Sequence, residues 1–256
     1  MDQKQRREYL LRALLGEEKR YSGIALPSEE GEQRRLLRAL MNVRPALPLA
    51  EETLRVQDEY LAAIRKEKGV VTLERIPERL PGIRLWRGDI TQLKVGAIVN
   101  AANSGMTGCY APCHSCIDNC IHTSAGMQLR AFCQKMMEEQ GYDEPTGQAK
   151  LTPAYNLPCE YILHTVGPIA DGGLTEEHEA LLASCYRSCL ELARARGIGS
   201  VAFPCISTGV FRFPAARAAE IALDTVRRCR GEIQVVFNVF KQEDEEIYER
   251  LLDAGE

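Results

Sequence analysis

The stretch GCYAPCHSCIDNCIH, residues 108–122, holds four of the chain's ten cysteines and two of its four histidines. Thiolate and imidazole are the donors that hold zinc, and the stretch offers six of them in Cys109, Cys113, His114, Cys116, Cys120 and His122. Three protein ligands with one vacant position are the layout of a catalytic zinc site, whereas a structural zinc is closed by four. Spacing alone leaves open which of the six would bind and whether three or four would do so. Asp118 follows at the start of an expected helix, where a carboxylate can meet an N–H of the helix terminus.

A second stretch, STGVFRFP at 207–214, joins a buried strand to a helix, with Gly209 free to take positive φ and Pro214 suited to the first helical position. Successive backbone N–H groups in such a turn form an anion nest beside a helix N-terminus, the size of a diphosphate. Taken alone, this loop is also an ordinary strand-to-helix turn.

Elements must hold these loops. GAIVNAAN, EYILHTV, SVAFPCI and EIQVVFNVF are short apolar runs rich in Val, Ile and Phe and read as buried strands. Helical patterns near 119–140, 176–196, 214–230 and 242–253 alternate with them. That alternation predicts helices on both faces of a mixed, largely parallel sheet, whose ligands bind at loops leaving the carboxyl ends of strands. Residues 1–80 read differently. Leu10, Leu11, Leu14 and Leu15, then Leu36, Leu37, Leu40 and Met41, mark two amphipathic helices, and a third runs from Ala50 to Lys68 and stops at Gly69. Their charged residues read as solvated faces, and the segment offers no chemistry. The expected division is a helical N-terminal extension at 1–80 and an α/β domain at 81–256, with the extension docked on the domain because its apolar stripes need cover.

Composition narrows the class. Apolar residues at 45% and charged ones at 27% describe a globular protein. No apolar run approaches the roughly 20 residues of a membrane span, and MDQKQRREYLL is too charged for a secretory signal. The expected location is the cytoplasm, where clustered thiols persist as metal ligands rather than disulfides. A net charge of −4 gives no bulk attraction to nucleic acid. His122 and His164 read as satisfied core residues and His178 as a surface one; Cys133, Cys159, Cys185, Cys189, Cys205 and Cys229 read as small apolar side chains.

Five stretches in order, GDI at 88–90, AIVNAAN at 97–103, AGMQLR at 125–130, ILHTVGP at 162–168 and AFPCISTGVFRFP at 202–214, resemble the macrodomain family of ADP-ribose-binding modules and hydrolases. The likeness runs from residue 83 to 254. Where that family carries a run of glycines after NAAN, this chain carries the cysteine cluster, which resembles the zinc-dependent subfamily that removes ADP-ribose from proteins. The resemblance implies a three-layer α/β/α fold and assigns roles. Asp89 would hold the adenine amino group beside Ile90, and Asn103 the distal ribose. Ser207, Thr208, Gly209, Val210 and Phe211 would form the diphosphate loop, and Cys109, His114 and Cys116, matching the subfamily's C-x4-H-x-C motif, would bind zinc through three ligands, in preference to a structural zinc closed by Cys113, Cys120 or His122, with Asp118 the nearest general base. It further implies reversal of mono-ADP-ribosylation placed on carboxylates by a sirtuin-like transferase, often on a lipoyl-carrier protein. The alternatives are an ADP-ribose reader with a structural zinc and a deacetylase of O-acetyl-ADP-ribose. Cys109, Cys113 and Cys116 also spell C-x3-C-x2-C, which resembles the iron–sulfur motif of radical S-adenosylmethionine enzymes, but the barrel such enzymes need has no room in the residues that follow.

Overall fold

The computed structural model describes residues 1–254. Helices α1 (Gln3–Gly16), α2 (Glu30–Val43) and α3 (Glu51–Lys68) come first. Asp2 starts α1 with a capping box: its Oδ1 accepts the Gln5 N–H at 2.8 Å while Gln5 Oε1 accepts the Asp2 N–H at 2.9 Å. The leucines of the expected stripes meet one another, with Leu10, Leu11, Leu14, Leu37, Leu40, Met41, Val56, Tyr60 and Leu61 buried together. Each such side chain taken from water contributes about 1.5–3 kcal/mol.

Strands β1 (Val71–Thr72), β2 (Glu78–Leu80), β3 (Ile83–Arg87), β4 (Leu93–Lys94) and β5 (Ala97–Ala102) lead to helices α4 (Ile117–Ala125) and α5 (Met127–Gln140). Then come β6 (Ala149–Pro153), β7 (Tyr161–Val166), α6 (Glu176–Ala195), β8 (Ser200–Phe203), α7 (Ala215–Cys229), β9 (Gln234–Val239) and α8 (Gln242–Asp253). Seven strands form one sheet in the order β2-β3-β9-β8-β5-β7-β6, while β1 and β4 pair separately. The five inner strands are parallel and the two edge strands antiparallel. β2 brings residues 78–80 into this sheet from the stretch before residue 81.

Alternation along the strands makes the layers. Val99, Leu163, Val201, Val235 and Phe237 face α6, α7 and α8, while Ile98, Ile162, Ala202 and Val236 face α4 and α5. The result is the expected three-layer α/β/α arrangement. One helix was expected across 119–140, but Gly126, at φ 103°, breaks it into α4 and α5. A Cβ there would also press on Gln57 Nε2 and Gln128 Oε1, so α3 lies close over the break.

The first three helices dock on this side. Met127 of α5 packs into their leucine cluster and its N–H donates to Gln57 Oε1 at 2.8 Å. Arg65 donates to the Asn156 carbonyl at 2.7 Å, and Asn156 Nδ2 to Asp58 Oδ1 at 2.7 Å. No helix among the described residues is long and apolar enough to cross a membrane.

Candidate active site

The loop from β5 to α4 turns Cys109, His114 and Cys116 inward on one another: the two sulfurs and an imidazole nitrogen all lie within 4.8 Å of each other. Cys109 Sγ and His114 Nδ1 are 3.7 Å apart. Burial pushes the Cys116 thiol up to about 12, against a hydrogen bond from the Asn119 N–H, and the neighbouring Cys109 sulfur adds to the rise. Two sulfurs side by side, next to an imidazole nitrogen, are a donor set that suits a dication such as zinc. These residues therefore fit a zinc ion. Cys113 points elsewhere, its thiol donating to the Arg35 carbonyl at 3.4 Å, and neither Cys120 nor His122 joins the group. His122 instead meets Cys133 and His164 in a second, buried cluster. Both ring nitrogens of His164 are engaged there, by Asn100 Nδ2 at 3.1 Å and Thr152 Oγ1 at 2.9 Å.

Asp118 does not cap α4. That place belongs to Cys116, whose sulfur accepts the Asn119 N–H at 3.5 Å. The Asp118 carboxylate turns into the protein, where Oδ1 accepts from Asn100 Nδ2 at 2.8 Å and Oδ2 from Asn103 Nδ2 at 3.4 Å. Burial pushes this carboxyl up to about 6, although the Asn100 amide and the Arg130 charge favour the ionised form. Asn103 is exposed and is held in place by donating also to the Gly108 carbonyl at 3.2 Å. His122 is in the core as expected but is not satisfied: neither ring nitrogen has a hydrogen-bond partner among the described residues, and Nε2 lies 3.6 Å from Asp118 Oδ1. Burial holds it neutral, well below the usual imidazole range. His178 is partly covered rather than fully exposed.

The loop of residues 207–211 leaves β8. Positive φ falls on Ser207 (66°) and Arg212 (56°) rather than on Gly209, and Pro214 sits one position ahead of the first helical residue of α7. Hydrogen bonds from Phe213 N to Ser207 O (3.0 Å) and from Arg212 N to Gly209 O (3.1 Å) close the turn. None of the N–H groups from Ser207 to Phe211 donates to another group among the described residues, as an anion nest requires. Thr208 Oγ1 is turned back to the Cys205 carbonyl at 3.1 Å, Val210 is 70% exposed, and the Phe211 carbonyl accepts the Ala170 N–H at 2.8 Å. Gly167, just after β7, lies so close that a Cβ there would collide with Ser207 Oγ.

Asp89 and Ile90 follow β3. Asp89 Oδ1 accepts from the Thr91 N–H at 3.0 Å and from Thr91 Oγ1 at 2.7 Å, and Oδ2 accepts from Lys68 Nζ at 2.9 Å. Burial works to raise this carboxyl, but the bonds to Thr91 and Lys68 outweigh it and hold it below the ordinary range. Ile90 is buried. Lys68 corrects the reading of the first helices as free of chemistry, because it reaches an expected ligand contact. A further group escaped the sequence reading: Phe240, 77% exposed directly after β9, stands beside Asp89, since Gly88 N donates to Val239 O at 3.0 Å. Its signal was an aromatic ending an otherwise buried apolar strand.

Asp89, Asn103, Gly167, Ser207 and Phe240 thus follow the carboxyl ends of five neighbouring parallel strands, with the thiol–imidazole group beside Asn103. Sequence comparison gives this arrangement a family. A protein-ADP-ribose hydrolase from Treponema medium is 56% identical over 98% of this chain and 100% of its own length. Another from Staphylococcus aureus (strain MSSA476) is 45% identical over 96% of this chain and 94% of its own. A family model described as macro domain matches residues 99–222. The chain belongs to the macro domain family. A solved macrodomain from Trypanosoma brucei, in complex with ADP-ribose, aligns with a TM-score of 0.64 at 31% identity, covering 84% of this chain and 94% of that one. The macro domain match encloses Asn103, the cysteine cluster, Asp118 and the 207–211 loop; Asp89 and Phe240 lie outside it.

Proposed function

We propose that this macro domain protein is a zinc-dependent hydrolase that removes mono-ADP-ribose from modified protein side chains. The observation that carries the reading is the three-donor group of Cys109, His114 and Cys116 set beside Asn103 and Asp118, on the same edge of the sheet as an unpaired run of backbone N–H groups. The loop from Ser207 to Phe211 holds the diphosphate, Asp89 the adenine amino group with Ile90 alongside, and Phe240 offers a face for the adenine ring. Binding energy from the adenosine half then fixes the distal ribose against Asn103. Asp118 Oδ2, already within reach of Asn103 Nδ2, takes the proton from the attacking water. Zinc in such a site supplies Lewis acidity and a lowered pKa for water.

The finer assignment rests on the resemblance to the zinc-dependent subfamily. It makes the bond one to a carboxylate, the opposing activity a sirtuin-like transferase and the substrate a lipoyl-carrier protein. We assign α1 to α3 to a helical extension and the rest to the domain that carries the site, drawing the expected boundary at 80/81 back because β2 pairs in the sheet. We place the protein in the cytoplasm, where its thiols stay reduced.

The deciding experiment measures zinc per chain together with release of ADP-ribose from a mono-ADP-ribosylated protein, before and after chelation. Near-stoichiometric zinc, activity lost on chelation and activity regained on adding zinc is the expected result. Zinc without turnover on any linkage would leave a binding module, and turnover of O-acetyl-ADP-ribose alone would leave a deacetylase.

A further inference from the structure

One side chain of the N-terminal helices is linked to every residue of the thiol–imidazole group. Arg38, on α2, donates from Nη2 to the His114 carbonyl at 2.8 Å and to Asn119 Oδ1 at 2.9 Å. Asn119 is fully buried. Its Nδ2 donates to the carbonyls of Ala111 at 3.0 Å and Cys109 at 3.4 Å, and its backbone N–H to Cys116 Sγ at 3.5 Å. Cys109, His114 and Cys116 are thereby tied, through main chain or sulfur, to one guanidinium–amide pair. One turn along α2, Asn42 Oδ1 accepts the N–H of Cys113, the loop residue at φ 54°, at 2.9 Å.

We propose that Arg38, acting through Asn119, is a positioning residue of the metal centre, fixing the spacing of Cys109, His114 and Cys116 before an ion binds. The inference rests on the zinc reading given above. The loop from 103 to 116 contains no regular secondary structure, so closing it on an ion means ordering its backbone. Holding the loop beforehand moves that ordering into folding and leaves more of the binding energy as affinity. A guanidinium suits the task because its planar fork presents several donors in fixed directions. Arg34, one turn earlier on the same helix, pairs instead with Glu30 and Glu67 and touches none of the loop. It separates positioning of the loop from mere attachment of α2.

The test is zinc affinity, read by competition with a chromophoric chelator, for the full-length wild type, Arg38→Met, Arg38→Lys and Arg34→Met, alongside the melting temperature of each metal-free protein. Arg38→Met should bind zinc about 10–100-fold more weakly, the usual cost of losing a group that orients ligands. Arg38→Lys, which keeps the stem but not the fork, should fall between, and Arg34→Met should match wild type. Wild-type affinity in Arg38→Met, or equal losses in Arg38→Met and Arg34→Met, would overturn the proposal. If Arg38→Met does not fold, Arg38→Lys decides: weaker zinc binding at an unchanged melting temperature supports the role, and unchanged binding refutes it. A wild type that binds no zinc would fail the metal reading itself, and this inference with it.

Discussion

The two loops that follow the neighbouring strands β5 and β8 are built in opposite ways. The cysteine loop is held from outside, with Arg38, Asn42, Asn119 and Arg130 donating to or accepting from its main chain at nearly every turn. The 207–211 loop is held through carbonyls and the Thr208 hydroxyl, its N–H groups unclaimed and Val210 standing in solvent. A loop that must present ligand atoms at fixed separations gains from being rigid beforehand. A loop that wraps an anion with its own backbone must leave those N–H groups free, and its ligand completes its hydrogen bonding.

The comparison can be broken most forcefully at the cysteine loop. Cys109→Ala, or chelation of the wild type, should lower turnover by about 10³-fold while ADP-ribose affinity stays within about threefold. Parallel loss of both, measured by single-turnover kinetics and calorimetry, would mean that the two loops are not independent. Asp118→Asn should cost about 10²-fold or more in kcat with KM little changed. The same variant should melt no lower than wild type. A carboxyl raised to about 6 carries a cost when ionised, so its replacement is worth up to about 3 kcal/mol at pH 8, fading as pH falls through 6 towards 4.

The 207–211 loop offers the opposite probe. Gly167→Ala forces Ser207 aside and should weaken ADP-ribose binding by about tenfold. Zinc content should not change; if it falls, the separation drawn between the loops is wrong. The last probe concerns the floor under the cysteine loop. Burial lowers His164 to about 3, so the folded state prefers it neutral, and stability is lost as pH falls below about 6.5 towards 3, at about 1.4 kcal/mol per pH unit. His164→Gln should flatten that slope in acid denaturation curves. An unchanged slope would put the acid sensitivity elsewhere.

Much of this arrangement was legible in the sequence. Apolar periodicity located four of the five inner strands, β5, β7, β8 and β9 but not β3, and most of the helices, and the resemblance to the zinc-dependent subfamily picked out the three side chains that converge. What escaped shares a physical cause. Arg38, Asn42 and Lys68 lie on charged, amphipathic helices, and the pattern of a charge bound for a site is the same as that of a charge bound for water. Their partners lie 76, 71 and 21 residues away in sequence, beyond any local period. The edge strands β2 and β6 are short and half exposed, and Pro153 ends the second, so neither gives a buried-strand signal. Gly126 sits inside an apolar pattern that continues on both sides, which hid the break between α4 and α5. Ser207 takes the positive φ expected of Gly209 because Gly167 makes space for its side chain, a long-range fact.

Arg130 sets an order of events during synthesis. Its Nη1 reaches the carbonyls of Asn42 at 2.7 Å and Arg44 at 2.6 Å, at the end of α2, while its Nε takes the Thr107 carbonyl at 2.7 Å and its guanidinium lies 4.1 Å from the centre of the Tyr110 ring. The helices of residues 3–68 leave the ribosome well before this side chain does, so the end of α2 waits uncapped for a residue 86 positions beyond Arg44. A nascent chain halted before Arg130 would carry Cys109, His114 and Cys116 together with Arg38, Asn42 and Asn119, and would lack the one side chain that joins the Thr107 carbonyl to the end of α2. The start of the cysteine loop is therefore tied to α2 late, in one step with the joining of the two parts of the molecule.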